Sequence, residues 1–298
     1  MRRRFITLDV FTRRRFAGNP LGMVFDAEGL DTEAMQTIAR EIGHPETVFM
    51  LPPTDPSHTV AMRIFTPASE LPFAGHPTVG AAVGLARASG GGRQSLVIEE
   101  KVGPVSCVAE MHDADSGSAE FRLPQLPERA GDLPDAATMA AALSLDAADI
   151  DANAFPPSRW SAGVAFSMVP VRSLDAAARV RPDPSLFDKV FGLGGHAMVY
   201  VICTETVDTA HQIHARMFAP SRGIAEDPAT GSAVAAFAGL YTAHKKLADG
   251  DHKIIIEQGY EMGRPSEIRL SLKIATGALR EAFIGGDAVV VSEGVIEA

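Results

Sequence analysis

Apolar side chains run in short strand-like stretches over residues 5–10 and 21–25, and the Gly18-Asn19-Pro20 turn between them predicts a hairpin. The spacing then switches to three and four: Ala34, Met35, Ile38, Ala39 and Ile42 line one face of a helix over 32–42, capped by Asp31 or Thr32. Such a helix covers a sheet from outside. Strands follow at 47–51 and 60–65, turned by Pro52-Pro53 and Asp55-Pro56. A helix over 78–88 leads through Gly90-Gly91-Gly92 to paired strands at 95–100 and 105–111. The polar run from Asp113 to Ser118, with Pro124, Pro127 and Pro134 beyond it, reads as a linker. The order then recurs, with a helix opening at 138–143, strands at 164–171, 197–204 and 212–218, and a strand-rich tail at 253–258, 267–272 and 288–296.

The recurrence extends to residues. Arg63-Ile64-Phe65-Thr66-Pro67 is echoed by Arg216-Met217-Phe218-Ala219-Pro220, 153 positions on, about half of the 298 residues. Each string precedes a helix of small residues, Thr78-Val79-Gly80-Ala81-Ala82-Val83-Gly84 in one case and Ser232-Ala233-Val234-Ala235-Ala236-Phe237-Ala238-Gly239 in the other. Gly inside a helix costs about 1 kcal/mol relative to Ala, so these helices need a packing reason, and close enclosure by sheet supplies it. The expected architecture is α+β, two copies of one domain. The first is 1–118 completed by the terminal strand 286–298, and the second is 119–285, with two helix N-termini facing a shared cleft.

Composition narrows the function. A chain with 46% hydrophobic and 21% charged residues is an ordinary globular one. It can remove roughly 75% of its unfolded surface from water without staples. A formal charge of −10 argues against nucleic acid. Cys107 and Cys203, the two cysteines, exclude a disulfide framework or a thiol-rich metal cluster, and their apolar surroundings read as burial. No apolar run approaches a membrane span, and Met1-Arg2-Arg3-Arg4 lacks the apolar segment of a signal peptide, so a cytoplasmic location is expected. Gly192-Leu193-Gly194-Gly195 does not complete a dinucleotide fingerprint. His211 and His214 show no third ligand and read as solvated, which leaves no metal site.

Candidate chemistry gathers at the repeated helix starts. A buried helix leaves its first N–H groups in need of acceptors, so the donors at Ala74-Gly75-His76-Pro77 and Ala229-Thr230-Gly231-Ser232 are candidates to hold a small carboxylate. Glu46, in His44-Pro45-Glu46-Thr47, stands before an apolar strand, where an acid faces a cleft or caps an element. His76, Asp227 and Ser232 occupy the helix starts themselves. The plainer alternatives are a solvated loop acid for Glu46 and helix caps for His76 and Asp227.

Six strings in order, Gly18-Asn19-Pro20, Pro45-Glu46-Thr47, Arg63-Ile64-Phe65-Thr66-Pro67, Glu70-Leu71-Pro72-Phe73-Ala74-Gly75-His76-Pro77-Thr78, Asp227-Pro228-Ala229-Thr230-Gly231-Ser232-Ala233 and Met262-Gly263-Arg264-Pro265-Ser266, resemble the PhzF family. That family is named for the isomerase acting on trans-2,3-dihydro-3-hydroxyanthranilate. The resemblance implies a diaminopimelate-epimerase-like fold, each domain a mostly antiparallel sheet around a central helix, and a homodimer that needs no metal or organic cofactor. It implies Glu46 as general acid/base, with His76, Asp227 and Ser232 holding and polarising the substrate. The matched strings add Asn19, Gly75, Pro77, Thr230 and Gly231 to the substrate contacts. Two-thiol racemases of this fold carry Cys where this chain has Ala74 and Thr230, and Pro45 stands where many relatives have a small polar residue. One carboxylate suffices to take a proton beside an electron-withdrawing group and return it further along a conjugated system, and loss of water around it raises its pKa. The competing class is a non-catalytic carboxylate-binding or interaction protein that keeps the cleft.

Overall fold

The structure, a computed structural model, describes residues 1–192, 195 and 197–298; Leu193 and Gly194 of the glycine-rich string lie outside the described residues. The chain divides into two compact units, Met1–Pro124 with Ile284–Ala298, and Gln125–Phe283.

In the first unit β1 (Arg2–Val10) and β2 (Asn19–Val24) pair antiparallel. The chain crosses through α1 (Thr32–Ile42) to β3 (Glu46–Leu51), parallel to β2, and turns into antiparallel β4 (Val60–Phe65). A short β5 (Glu70–Leu71) folds back on β4, and α2 (Gly75–Ala88) leads to β6 (Arg93–Glu100), parallel to β4. β7 (Gly103–Met111) and β8 (Ser116–Arg122) continue antiparallel. The C-terminal strand (Ala278–Glu297), which belongs to this unit from Ile284 on, pairs with β8 and β1 and closes the ring around α2.

Local sequence accounts for these elements. Asp31 caps α1 by accepting from Ala34 N at 2.8 Å, and Gly43 ends it at φ 69, a left-handed conformation that costs glycine little. Met35 and Ala39 bury the inner face of α1 against Val24, Phe49 and Phe65. α2 is buried nearly all round, including Gly75 to Gly84 without a break. A Cβ on Gly80 would lie 2.5 Å from Leu21 Cδ2, and one on Gly84 2.5 Å from Met23 Sδ, so the glycines let β1 and β2 press onto the helix.

The second unit comprises β9 (Glu128–Asp132), α3 (Ala136–Ala142), β10 (Ser158–Ser161), β11 (Ala165–Val171), α4 (Leu174–Arg179), α5 (Phe187–Phe191), β12 (Val199–Cys203), β13 (Ile213–Ala219), β14 (Ile224–Asp227), α6 (Gly231–His244), β15 (Gly250–Gln258) and β16 (Ser266–Ala275). Its connectivity repeats that of the first. β11 and β12 are parallel across α4 and α5, as β2 and β3 are across α1; β13 and β15 are parallel across α6, as β4 and β6 are across α2. α6 is again buried from Ala233 to Leu240, with Gly239 under the Trp160 ring. Even the side-chain pairs recur. Arg63 forks onto Glu70 at 2.8 and 3.0 Å and lies over Phe65, while Arg216 forks onto Glu226 at 2.8 and 2.8 Å and lies over Phe218.

Two expectations need correction. The 113–118 run is no linker but the turn of the β7–β8 hairpin, where the Asp113 carboxylate accepts from Asp115 N, Ser116 N and Ser116 Oγ. Nor are His211 and His214 solvated: both bond Glu257, which is fully buried, and His214 reaches Glu261 at 2.9 Å with its other nitrogen. Period and polarity could not reveal that pairing, because its partners lie more than 40 positions apart.

Candidate active site

In the first unit the short link after Gly43 sets Glu46 as the first residue of β3, opposite Leu21 of β2. Its side chain is 14% exposed, and Oε2 lies 3.3 Å from Nε2 of His76. His76 is the second residue of α2 and is buried. Burial drives the imidazole pKa down to about 3, against a bond to the Pro20 carbonyl that raises it, while His44 adds to the lowering. The Glu46–His76 contact is therefore no ion pair, because the ring is neutral at ordinary pH. Nε2 makes no hydrogen bond of its own, so the ring proton sits on Nδ1 and points to Pro20. Nε2 presents a lone pair to the Glu46 carboxyl. Asn19, fully buried beside Pro20, belongs to the same corner.

No side chain caps the N-terminus of α2: Ala74 stands at the cap, and Pro77 supplies no N–H, which leaves the amides of Gly75 and His76 at the mouth of the helix. Behind them Thr78 Oγ1 lies 2.8 Å from Ala74 O and 2.7 Å from Oε1 of Glu100, the last residue of β6. Burial pushes the Glu100 carboxyl up to about 8, only partly opposed by the Thr78 bond, so it is a neutral acid at pH 7.

In the second unit the loop Asp227-Pro228-Ala229-Thr230 enters α6, where Gly231 and Ser232 occupy the positions of Gly75 and His76. Thr230 stands at the cap but turns its hydroxyl to Asp227 Oδ2 rather than to the helix, so α6 too lacks a side-chain cap. Superposing the cassettes at an offset of 156 sets Glu70-Leu71-Pro72-Phe73-Ala74-Gly75-His76 over Glu226-Asp227-Pro228-Ala229-Thr230-Gly231-Ser232. The duplicated frame is conserved within the chain, and its polar groups differ: Asp for Leu, Thr for Ala, Ser for His. Glu46, His76, Gly75, Pro77 and Asn19 thus gather in the first unit, and Asp227, Thr230, Gly231 and Ser232 in the second.

Sequence reading missed Glu100 and Gln258. The signal was present in strand parity: Leu96, Ile98 and Glu100 face inward on β6, and Ile254, Ile256 and Gln258 on β15, so each apolar face ends on a polar residue. Cys107 and Cys203 are buried thiols whose pKa is pushed up by that burial, for Cys203 to about 11. No described helix is long and apolar enough to cross a membrane.

A family model described as phenazine biosynthesis-like protein, PhzC-PhzF, matches residues 8–294. The chain is 47% identical to an uncharacterised isomerase of Mesorhizobium japonicum and 30% identical to the trans-2,3-dihydro-3-hydroxyanthranilate isomerase of Pseudomonas aeruginosa, each alignment covering 98% of both chains. A solved phenazine biosynthesis protein of the PhzF family from Bacillus anthracis superposes with a TM-score of 0.89 at 30% identity over 100% of both chains. A hydroxyproline epimerase from Agrobacterium vitis, 11% identical, matches 99% of this chain and 92% of its own with a TM-score of 0.62, which establishes the wider epimerase-like fold.

Proposed function

The chain belongs to the PhzC-PhzF family and is an isomerase, and on that premise we propose that it moves a proton within a small cyclic or unsaturated carboxylate by general acid/base catalysis. The observation that carries this reading is the Glu46–His76 pair: a largely buried carboxyl facing a neutral imidazole lone pair at an uncapped helix N-terminus. Glu46 takes a proton from carbon beside an electron-withdrawing group and returns it further along the conjugated system, so no net oxidation occurs. A positioned carboxyl contributes on the order of 10²–10⁴ in rate. His76, which holds no second proton near neutrality, is placed to accept from a substrate donor, or from the Glu46 carboxyl once that has taken its proton. Asp227 and Ser232 hold the substrate's polar groups, with Asn19, Pro77 and Thr230 beside it. The amides of Gly75 and Gly231, each at a helix N-terminus without a side-chain cap, are donors suited to a carboxylate, and each helix dipole favours negative charge at its own end.

The substrate of the Pseudomonas relative is the first compound to try. Incubation with trans-2,3-dihydro-3-hydroxyanthranilate in deuterated water should place deuterium at carbon in the product, and Glu46→Gln should abolish both turnover and exchange. Absence of both with the unaltered protein removes this substrate. The reading further includes action without metal or organic cofactor by a homodimer in the cytoplasm; sedimentation velocity tests the dimer.

A further inference from the structure

We propose that Gln258 is a positioning residue that sets the direction of the hydrogen-bond chain ending on the Asp227 carboxylate; this rests on the reading of Asp227 as a substrate-holding group. Gln258 ends β15 and is fully buried. Its Oε1 faces two groups, Thr230 N and Tyr200 Oη, each at 3.2 Å. A backbone N–H can only donate, so that amide atom is the oxygen and the orientation of the side chain follows. Its Nε2 then donates to Asp227 O at 2.7 Å and to Thr230 Oγ1 at 3.0 Å. With an N–H pointing at its lone pair, the Thr230 hydroxyl has its own proton left for Asp227 Oδ2. One buried amide therefore decides which way two further polar groups point, and it presents Asp227 Oδ2 as an acceptor.

The surroundings hold Gln258 in place. Burial, with the nearby Asp227 charge, pushes the Tyr200 phenol well above its ordinary pKa, so it stays a donor. The neighbouring Glu257 is pinned by His211, His214, Val207 N and Asp208 N. On the other side Gly259, at φ 78, passes so close to the carbonyls of Arg264 and Pro228 that no Cβ fits. Ser266 Oγ lies 3.0 Å from Pro228 O and 3.0 Å from Arg264 O, with one proton for the two carbonyls. The Met262-Gly263-Arg264-Pro265-Ser266 string, to which the sequence assigned no task, thus belongs to a clamp on the loop that carries Asp227. In the first unit Glu100, which ends β6, meets Thr78 Oγ1 inside the first turn of α2 rather than the cap residue.

The test pairs Gln258→Leu with the milder Tyr200→Phe and has two readouts. Turnover of trans-2,3-dihydro-3-hydroxyanthranilate should fall in kcat by about 10²-fold for Gln258→Leu, the loss that a misplacement near 1 Å brings, with a smaller loss in the same sense for Tyr200→Phe and KM near the unaltered value. Hydrogen exchange at the amides of residues 229–233 should quicken in both variants. Unchanged kcat, or a loss confined to KM, overturns the proposal, whether or not exchange quickens. If Gln258→Leu fails to fold, Tyr200→Phe decides alone. If the unaltered protein does not turn over the probe, that substrate is removed, and the exchange measurement still tests the clamp: unaltered rates at 229–233 sink it.

Discussion

Replacing Glu100 by Gln tests whether a buried acid behind the α2 N-terminus is neutral. In the unfolded chain this carboxyl ionises near 4.5, whereas burial holds its proton until about 8 in the fold. Between those values the folded state binds the additional proton, so stability falls as pH rises through the window and levels off above it. At about 1.4 kcal/mol per pH unit, the accumulated loss is on the order of 4–5 kcal/mol by pH 8. Glu100→Gln keeps the shape and the bond to Thr78 but cannot ionise, so that loss disappears. The amide nitrogen replaces Oε2, a buried atom without a hydrogen-bond partner, at a pH-independent cost of about 1–3 kcal/mol. The variant should therefore be the less stable protein at pH 5 and the more stable one at pH 8. Urea unfolding of both proteins at unit steps from pH 5 to 9 reads the difference directly. A variant-minus-parent difference that stays flat across this range would show that Glu100 is ionised in the fold, and the reasoning from burial would be refuted.

Other outcomes follow from the same geometry. Gly80→Ala drives a methyl into Leu21 and Gly239→Ala one into Trp160; each should destabilise by about 1–3 kcal/mol in urea unfolding, whereas Gly90→Ala, which meets nothing within 4 Å, strains only its left-handed backbone. Burial alone would lower the His214 imidazole, but its bonds to Glu261 and Glu257 outweigh that and hold its pKa above the ordinary value. This contribution is full below pH 6.5 and lost as pH rises through the raised folded value. His214→Leu should cost about 3–5 kcal/mol by leaving Glu257 buried beside fewer partners, again by urea unfolding. Iodoacetamide at pH 7.5 should leave turnover untouched, because Cys107 and Cys203 are buried with raised pKa values; inactivation by alkylation would bring a thiol mechanism back.

Local and repeated features were readable from the chain. The α1 helix follows from its period and from Asp31 and Gly43, which act within a few residues of where they stand. The small residues of α2 and α6 announce enclosure because a glycine-rich helix has little reason to exist without a close neighbour. The Arg63 and Arg216 strings exposed a duplication, which the matching crossovers and ion pairs repeat in three dimensions. Tertiary structure decided what depends on distant partners. Sequence could not say that His214 meets Glu257 and Glu261, that Glu100 keeps its proton, or that Gln258 reaches back to Asp227. Protonation and hydrogen-bond direction depend on desolvation and on facing donors, and both arise only when segments remote along the chain close around the same few atoms.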